Sequence, residues 1–254
     1  CPADPIEEGD GGTKGDAKGD ASPITSSESI CVPFTASYAS DRAAERIAAT
    51  DLFIKQVSTQ PSNGTLNISR NAAQQPTYIS FNAASGSAQS YNVSISYTSG
   101  GKFTYIKRSW SGSTASDTYN FSYDSDDKLT YFKQSWSDST ASETENYSYN
   151  SGNKLTYFKR SWSDSTASET LNYSYNSSDL LTYFKQSWSD STPSVTENFS
   201  YDSSSRLTYW SRSWSNSNPS ESASMSYSGT SRSPSSTQTS GPVPGGSTVV
   251  DCGN

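Results

Sequence analysis

Histidine is missing from all 254 residues, which excludes Ser-His-Asp and Cys-His catalysis and any His-ligated metal. Three cysteines without a histidine do not make a metal site, so neither metal nor cofactor is expected. Hydrophobic residues are scarce too, at 31%, below the usual share for a globular domain. No apolar run approaches the length of a membrane-spanning helix. Basic residues are outnumbered, 18 against 25 acidic, for a net charge of -7. That balance argues against nucleic acid as a partner, because a phosphate backbone needs a basic patch. Aromatics are what the chain has in plenty: 17 Tyr, 9 Phe and 6 Trp, or 13%. Disordered chains are poor in aromatics, so this composition suits a sheet surfaced with Tyr, Thr and Ser.

The aromatics recur at a fixed interval. Trp110, Trp136, Trp162, Trp188 and Trp214 are each 26 residues apart, as are Tyr97, Tyr123, Tyr149, Tyr175, Tyr201 and Tyr227. A period of this size marks an array of supersecondary units that bury their apolar surface against one another. Each unit holds two alternating segments, such as Leu155 to Trp162 and Leu171 to Tyr175, which read as strands. The expected fold is all-β: an antiparallel meander of 26-residue β-hairpin repeats forming an elongated sheet, with a small N-terminal cap that contains a short helix.

Four regions follow. Residues 1–30 are a flexible acidic, Gly-rich tether. Residues 31–97 are the cap and a degenerate first hairpin, in which Ser40 to Ala49 carries the helix formers and Ser40 is a plausible N-cap. Asp51 to Val57 reads equally as more helix or as a strand. Tyr78 to Phe81 and the alternating Tyr91, Val93, Ile95 and Tyr97 form the degenerate hairpin. Residues 98–227 are the array and 228–254 an extended tail. The opening Cys1-Pro2-Ala3-Asp4-Pro5 resembles a bacterial lipoprotein after signal removal, which implies a lipid on Cys1; an arbitrary boundary is the plainer alternative. Cys31 and Cys252 then remain as a disulfide pair, permitted in an exported protein.

The junction between repeats is the best-defined local feature. Thr98-Ser99-Gly100-Gly101, Asp124-Ser125-Asp126-Asp127 and Asn150-Ser151-Gly152-Asn153 begin with Thr or Asx and end in a residue that tolerates a left-handed conformation. A type I turn closed by a G1 bulge fits them. Pairing Tyr149 with Leu155 and Tyr147 with Tyr157 then puts Leu and Tyr on one face, Phe158 and Trp162 on the other. A slip of one residue would instead gather Phe, Trp and Tyr together. The turns Tyr123-Asp124-Ser125-Asp126-Asp127-Lys128-Leu129-Thr130 and Tyr201-Asp202-Ser203-Ser204-Ser205-Arg206-Leu207-Thr208 resemble the YD repeats of the Rhs and wall-associated family. The pattern's basic residue recurs at Lys102, Lys128, Lys154 and Arg206 but is Leu180 once, and its glycine survives only at Gly101. The resemblance covers about half the chain and implies a hairpin array in an exported, cell-surface setting. Five hairpins are too few to form the toxin-enclosing shells of that family.

Paired carboxylates such as Glu143/Glu145 and Asp126/Asp127 suggest glycosidase chemistry, but they recur with the repeat and an active site is needed once. Lys133, Lys159 and Lys185 are instead expected to pair across strands with Glu143, Glu145, Glu169 and Glu197. The Trp row either stacks on sugar rings or packs on neighbouring strands. Three functions follow. The chain is a non-enzymatic structural or adhesive lipoprotein, exported to the cell surface (outer membrane) and attached to the bacterial membrane through Cys1. Alternatively it is a subunit of an extracellular fibre, with copies of itself as partners through open sheet edges or the tail. As a third reading it binds glycans through the aromatic ladder. An enzyme ranks last.

Overall fold

A computed structural model of the chain describes residues 29–32, 37–59, 63–84, 89–112, 114–218, 220–227, 234–240 and 248–251. Cys1, Cys252 and the tether before Ser29 lie outside the described residues. A short strand β1 (Ser29–Val32) precedes the helix α1 (Ser37–Val57). The strands β2 (Gly64–Arg70), β3 (Pro76–Ala83), β4 (Tyr91–Tyr97), β5 (Phe103–Trp110), β6 (Asp117–Tyr123), β7 (Leu129–Trp136), β8 (Glu143–Tyr149) and β9 (Leu155–Trp162) follow. After them come β10 (Glu169–Tyr175), β11 (Leu181–Trp188), β12 (Val195–Tyr201), β13 (Leu207–Trp214), β14 (Glu221–Tyr227), β15 (Pro234–Ser240) and β16 (Thr248–Asp251). Among the described residues, β2 to β15 form one open antiparallel meander in chain order, and β1 pairs in parallel with β16. The fold is therefore the expected hairpin meander with one helix near its start. That helix takes in Asp51 to Val57, and β2 and β15 add strands on both sides of the repeats.

The chain divides into two compact units, Ala36–Tyr173 with Gln186–Thr192, and Cys1–Thr35 with Ser174–Lys185 and Pro193–Asn254. In the first unit every repeat turn has one build. Asn150 N–H donates to Lys154 O at 3.0 Å and Asn153 N–H to Asn150 O at 2.9 Å. The Asn150 side chain also accepts from Lys154 N–H at 2.9 Å, and Asp124 and Thr98 do the same in their turns. This is why the first position is Asx or Thr. The fourth position is left-handed throughout the chain: Gly101 at φ 82°, Asp127 at 64°, Asn153 at 66°, Asp179 at 59° and Ser205 at 64°.

One residue then bulges. Tyr149 pairs with Leu155 as expected, but Ser148 pairs with Tyr157 and Tyr147 with Phe158. Thr156 is the extra residue, and its hydroxyl donates to Ser148 O at 3.2 Å. Because side chains alternate along a strand, one bulged residue exchanges the faces of everything beyond it. The expected face assignment is thus corrected. Phe158, Tyr147, Leu155 and Trp162 share one face, while Tyr157 and Lys159 point to the other. Bulges at Thr104 and Thr130 repeat the effect.

The face so assembled is the core. Val93, Ile95, Ile106, Phe121, Phe132, Tyr147, Phe158 and Leu171 are buried on it. Helix α1 lies against this face through Arg46, Thr50, Phe53, Ile54 and Val57, spaced as one helical stripe. Phe53 packs on Tyr119 at 6.0 Å between centroids, and Tyr91 OH donates to Val57 O at 3.2 Å. Burying Phe53, Ile54 and Val57 contributes about 1.5–3 kcal/mol each, which fixes the helix despite its weak first turn. The second unit repeats the hairpin build, with Leu181, Phe184, Phe199, Leu207 and Trp210 buried and the same bulge between Ser200 and Tyr201.

The left-handed positions give a direct test. Ser205→Gly should raise stability by about 1 kcal/mol, since glycine adopts positive φ without the Cβ clash. Gly101→Ala should lower it by at least as much, because an added Cβ would also sit 3.0 Å from the Gln75 amide. Urea midpoints read both.

Candidate functional site

Two positions of the Tyr-Asp-x-x-Gly-basic-Leu-Thr turn, the tyrosine and the basic residue, reach neighbouring repeats. The tyrosine hydroxyl reaches back one turn: Tyr97 OH donates to Pro76 O at 2.8 Å and Tyr149 OH to Leu129 O at 3.0 Å. The basic residue reaches forward. Lys128 Nζ donates to Asn153 O at 3.0 Å and lies 5.0 Å over the Tyr149 ring. Lys102 Nζ bonds Asp127 O in the same way and lies 5.2 Å over Tyr123. Burial first, then nearby carboxylates, push the Tyr123 and Tyr149 phenols up to about 12, so both stay neutral at physiological pH. In the second unit, Tyr201 OH donates to Leu181 O at 2.9 Å.

A further copy of this turn was not legible in the sequence. Asn71 N–H donates to Gln75 O at 3.0 Å, Gln74 is left-handed at φ 63°, and Thr77 Oγ1 donates to Ser69 O at 3.3 Å. Gln75 Nε2 replaces the lysine, donating to Gly101 O at 2.9 Å. The signal was the order Asn71, Gln74, Gln75, Thr77, displaced by 27 rather than 26 residues from Thr98, Gly101, Lys102 and Thr104, with glutamines where the pattern has glycine and a basic residue.

The carboxylates form the chemically distinctive cluster of the core face. Glu145 is 1% exposed and Glu143 7%, and such groups need partners. Arg46 of α1 supplies them: Nη2 donates to Glu143 Oε1 at 2.6 Å and Glu145 Oε1 at 3.0 Å, while Nε donates to Glu145 Oε2 at 3.1 Å. Arg160 Nε also bonds Glu143 Oε1, and Tyr147 OH donates to Glu145 Oε2 at 2.6 Å. Burial works against the charge on Arg46, but Glu145 and then Glu143 outweigh it and hold its pKa above the ordinary value. Burial, then the charge of Glu145, raises the Tyr147 phenol far above its usual range. One repeat before Glu143, Arg108 holds Asp117 at 2.8 and 3.1 Å, and Tyr119 OH adds a bond at 2.9 Å.

The lysines expected as partners are elsewhere. Lys133 pairs with Thr144 and Asn120, and Lys159 with Asn146 and Thr170, all on the open face. The bulge separates them from the acids and gives that role to Arg108, Arg160 and, in the second unit, Arg212, which bonds Glu197 at 2.7 Å. Glu197 Oε2 is buried there with no hydrogen-bond partner, as is Trp210 Nε1. Phe199 stands where Tyr147 supplies its hydroxyl, so the repeat at Glu197 lacks both the phenol and the helix arginine.

Trp110, Trp136, Trp162, Trp188 and Trp214 are all half-buried at strand ends. Trp110 meets Tyr91 edge-on at 5.4 Å and lies 4.8 Å under Arg108. Trp162 pairs with Glu143 and lies 4.7 Å under Arg160. In the second unit Trp214 is 6.0 Å from Arg212. Cys31 stands opposite Val250 in the β1–β16 ladder.

No family model matches this chain. No curated protein matches it either. Among solved structures it is similar over 65% of its length to part of a crystal structure of TcdB2-TccC3-Cdc42, with 10% identity and a TM-score of 0.30. The match spans 11% of that chain.

Two outcomes follow from the carboxylate cluster. Arg46→Ala should lower stability by about 2–3 kcal/mol by stripping partners from buried charge, and adding Glu145→Gln should restore part of the loss. Thermal unfolding of the single and double variants decides it. The phenols set the alkaline limit. Their folded pKa values lie above the unfolded value, so the stability they supply is complete below about pH 10 and is lost as pH rises toward the folded values. Urea midpoints should hold steady to about pH 10 and fall above it. Tyr147→Phe should flatten that fall.

Proposed function

We propose that the chain is a non-enzymatic structural repeat protein of a bacterial cell surface, anchored through a lipid on Cys1 and presenting its hairpin array as an adhesive spacer. The observation that supports this most is the turn network. Tyr97 and Tyr149 tie their turns backward through a hydroxyl, and Gln75, Lys102 and Lys128 tie theirs forward, so these repeated residues serve to join repeats. The carboxylates that suggest acid–base chemistry are held by arginine in the core rather than facing each other across an open cleft. Left-handed φ at all five positions of the pattern's glycine also favours kinship with YD-repeat proteins of the Rhs and wall-associated family.

A fibre subunit is the second reading, favoured by the open sheet. Among the described residues β2 has β3 as its one ladder partner, and an uncovered edge is a route to strand addition. The parallel β1–β16 ladder bears on this choice, since it brings Cys31 beside the segment that leads to Cys252. An intrachain disulfide there makes a self-contained monomer.

Cells grown with labelled palmitate should yield labelled protein that loses the label in Cys1→Ser and is removed by protease treatment of intact cells. An unlabelled protein retained inside the cell would sink the surface reading. Negative-stain micrographs and non-reducing electrophoresis separate the two forms. Isolated particles and a single monomer band support the spacer, while filaments or a covalent ladder support the fibre.

A further inference from the structure

The open face of the first unit carries a second ladder, distinct from the tryptophans. Tyr105 lies opposite Asn120, which lies opposite Lys133 on the next strand. Tyr131, Asn146 and Lys159 repeat this line one hairpin on. Each line runs from an aromatic ring through an amide to an ammonium, across two strand spacings of about 4.8 Å each. Along β7 the lysine of one line and the tyrosine of the next are two residues apart, so the lines form a staircase over the sheet.

Two observations say that this face has a partner. Among the described residues Lys107, Lys133 and Lys159 are in no ion pair, although the chain carries a net charge of -7. The acids that would neutralise them are turned to the core face, where Asp117, Glu143 and Glu145 are held by arginine and Glu169 by Gln186. The second observation is internal constancy. Residues 93, 119, 145, 171 and 197 on the core face are Val, Tyr, Glu, Leu and Glu. On the open face, residues 105, 131, 157, 183 and 209 are all Tyr, residues 120, 146, 172 and 198 are Asn between Ser94 and Ser224, and residues 107, 133, 159 and 185 are Lys before Ser211, a constancy that the core face matches in its tryptophans. No packed neighbour demands those identities, for these side chains are half-exposed or, at Lys107, Asn198 and Tyr209, exposed.

We propose that the open face is a docking surface for a linear acidic polysaccharide, whose sugar rings stack on Tyr105, Tyr131 and Tyr157 and whose carboxylates meet Lys107, Lys133 and Lys159. The pattern fits that class on three counts. Tyrosine faces accept sugar rings, the asparagine amide between them both donates to and accepts from hydroxyls, and one ammonium per hairpin, two strand spacings of about 4.8 Å each, falls at every second carboxylate of a polyuronate, which bears one on each sugar. A ligand of this kind must itself be periodic, as the surface is. The proposal rests on the adhesive part of the reading above and moves that role from the tryptophans to the opposite face.

Affinity electrophoresis of the full chain through gels containing sodium alginate, a polyuronate, or neutral dextran tests it. Retardation by alginate, absent with dextran and reversed by salt, is expected. Lys107→Gln, Lys133→Gln and Lys159→Gln together should weaken it at least about tenfold by removing three charge contacts. Tyr105→Ser, Tyr131→Ser and Tyr157→Ser should weaken it several-fold. Trp162→Ala should leave it unchanged. Urea midpoints near that of the parent check that each variant is folded, and smaller sets, such as Lys133→Gln with Lys159→Gln, serve if one is not. Absence of retardation by alginate would overturn the proposal, as would retardation indifferent to the lysine variants. Duplex DNA binding as tightly as alginate, with no effect of the tyrosine variants, would overturn it in favour of general polyanion attraction. None of these outcomes bears on palmitate labelling or protease removal, so surface placement stands or falls separately.

Discussion

The bulge at Thr156 and its counterparts decides what this molecule is. A two-stranded hairpin with a type I turn and a left-handed fourth residue leaves one amino acid unmatched, and here it is the threonine after the leucine. That one residue moves Phe158, Arg160 and Trp162 to the same side as Tyr147 and Glu145, and sends Tyr157 and Lys159 to the other. The core, the seat of the helix and the location of every buried acid follow from it. The threonine hydroxyl donates to the carbonyl of the serine across the bulge, which accounts for threonine rather than another residue at that step.

Once the acids face the core they constrain the rest. A carboxylate with 1% exposure costs several kcal/mol unless it is paired and hydrogen-bonded. The strand neighbours give Glu143 an arginine and Glu145 a phenol; the helix gives the pair its bidentate guanidinium. Arg46 thus fixes where along the sheet α1 can sit, while Phe53, Ile54 and Val57 supply the attraction. A helix with an apolar stripe alone could slide by one repeat, since each repeat offers similar apolar surface. Repetition creates that ambiguity, and a single buried charge pair, present at one step, resolves it.

Periodicity was enough to read the meander, the hairpins and the turn residues, because turn chemistry acts within five residues and the 26-residue step repeats it. The faces were not legible by alternation alone. Whether Tyr147 pairs with Tyr157 or Phe158 depends on one bulged residue, and both registers satisfy an alternating pattern. Pairing of Glu143 with Arg160 rather than a lysine was hidden for the same reason. The Asn71 turn escaped because its step is 27 and its glycine and lysine are glutamines. Helix α1 was legible from its alanines, but its full length was not: Leu52, Phe53, Ile54 and Val57 suit a strand as well until the stripe with Arg46 and Thr50 is seen.

A tandem array also lets function be sought without comparing proteins. Copies that arose together start alike, and each then drifts where drift is tolerated. On the core face, drift follows the neighbours. Tyr119 meets Phe53, Glu145 meets Arg46, and Glu197, with no helix arginine, keeps one oxygen unpartnered. On the open face such pressure is absent, and exposed positions with nothing to hold them should diverge fastest, because substitutions there usually change stability by less than about 0.5 kcal/mol. Yet Tyr persists at five of them, Asn at four and Lys at four, with Ser94, Ser211 and Ser224 marking where the series end. Solubility would account for polar character there but not for one tyrosine, one asparagine and one lysine at the same three places in hairpin after hairpin. Strand propensity would account for tyrosine and threonine but not for asparagine, which strands disfavour. A periodic ligand of the kind proposed would supply such a requirement, meeting several hairpins at once and each in the same way.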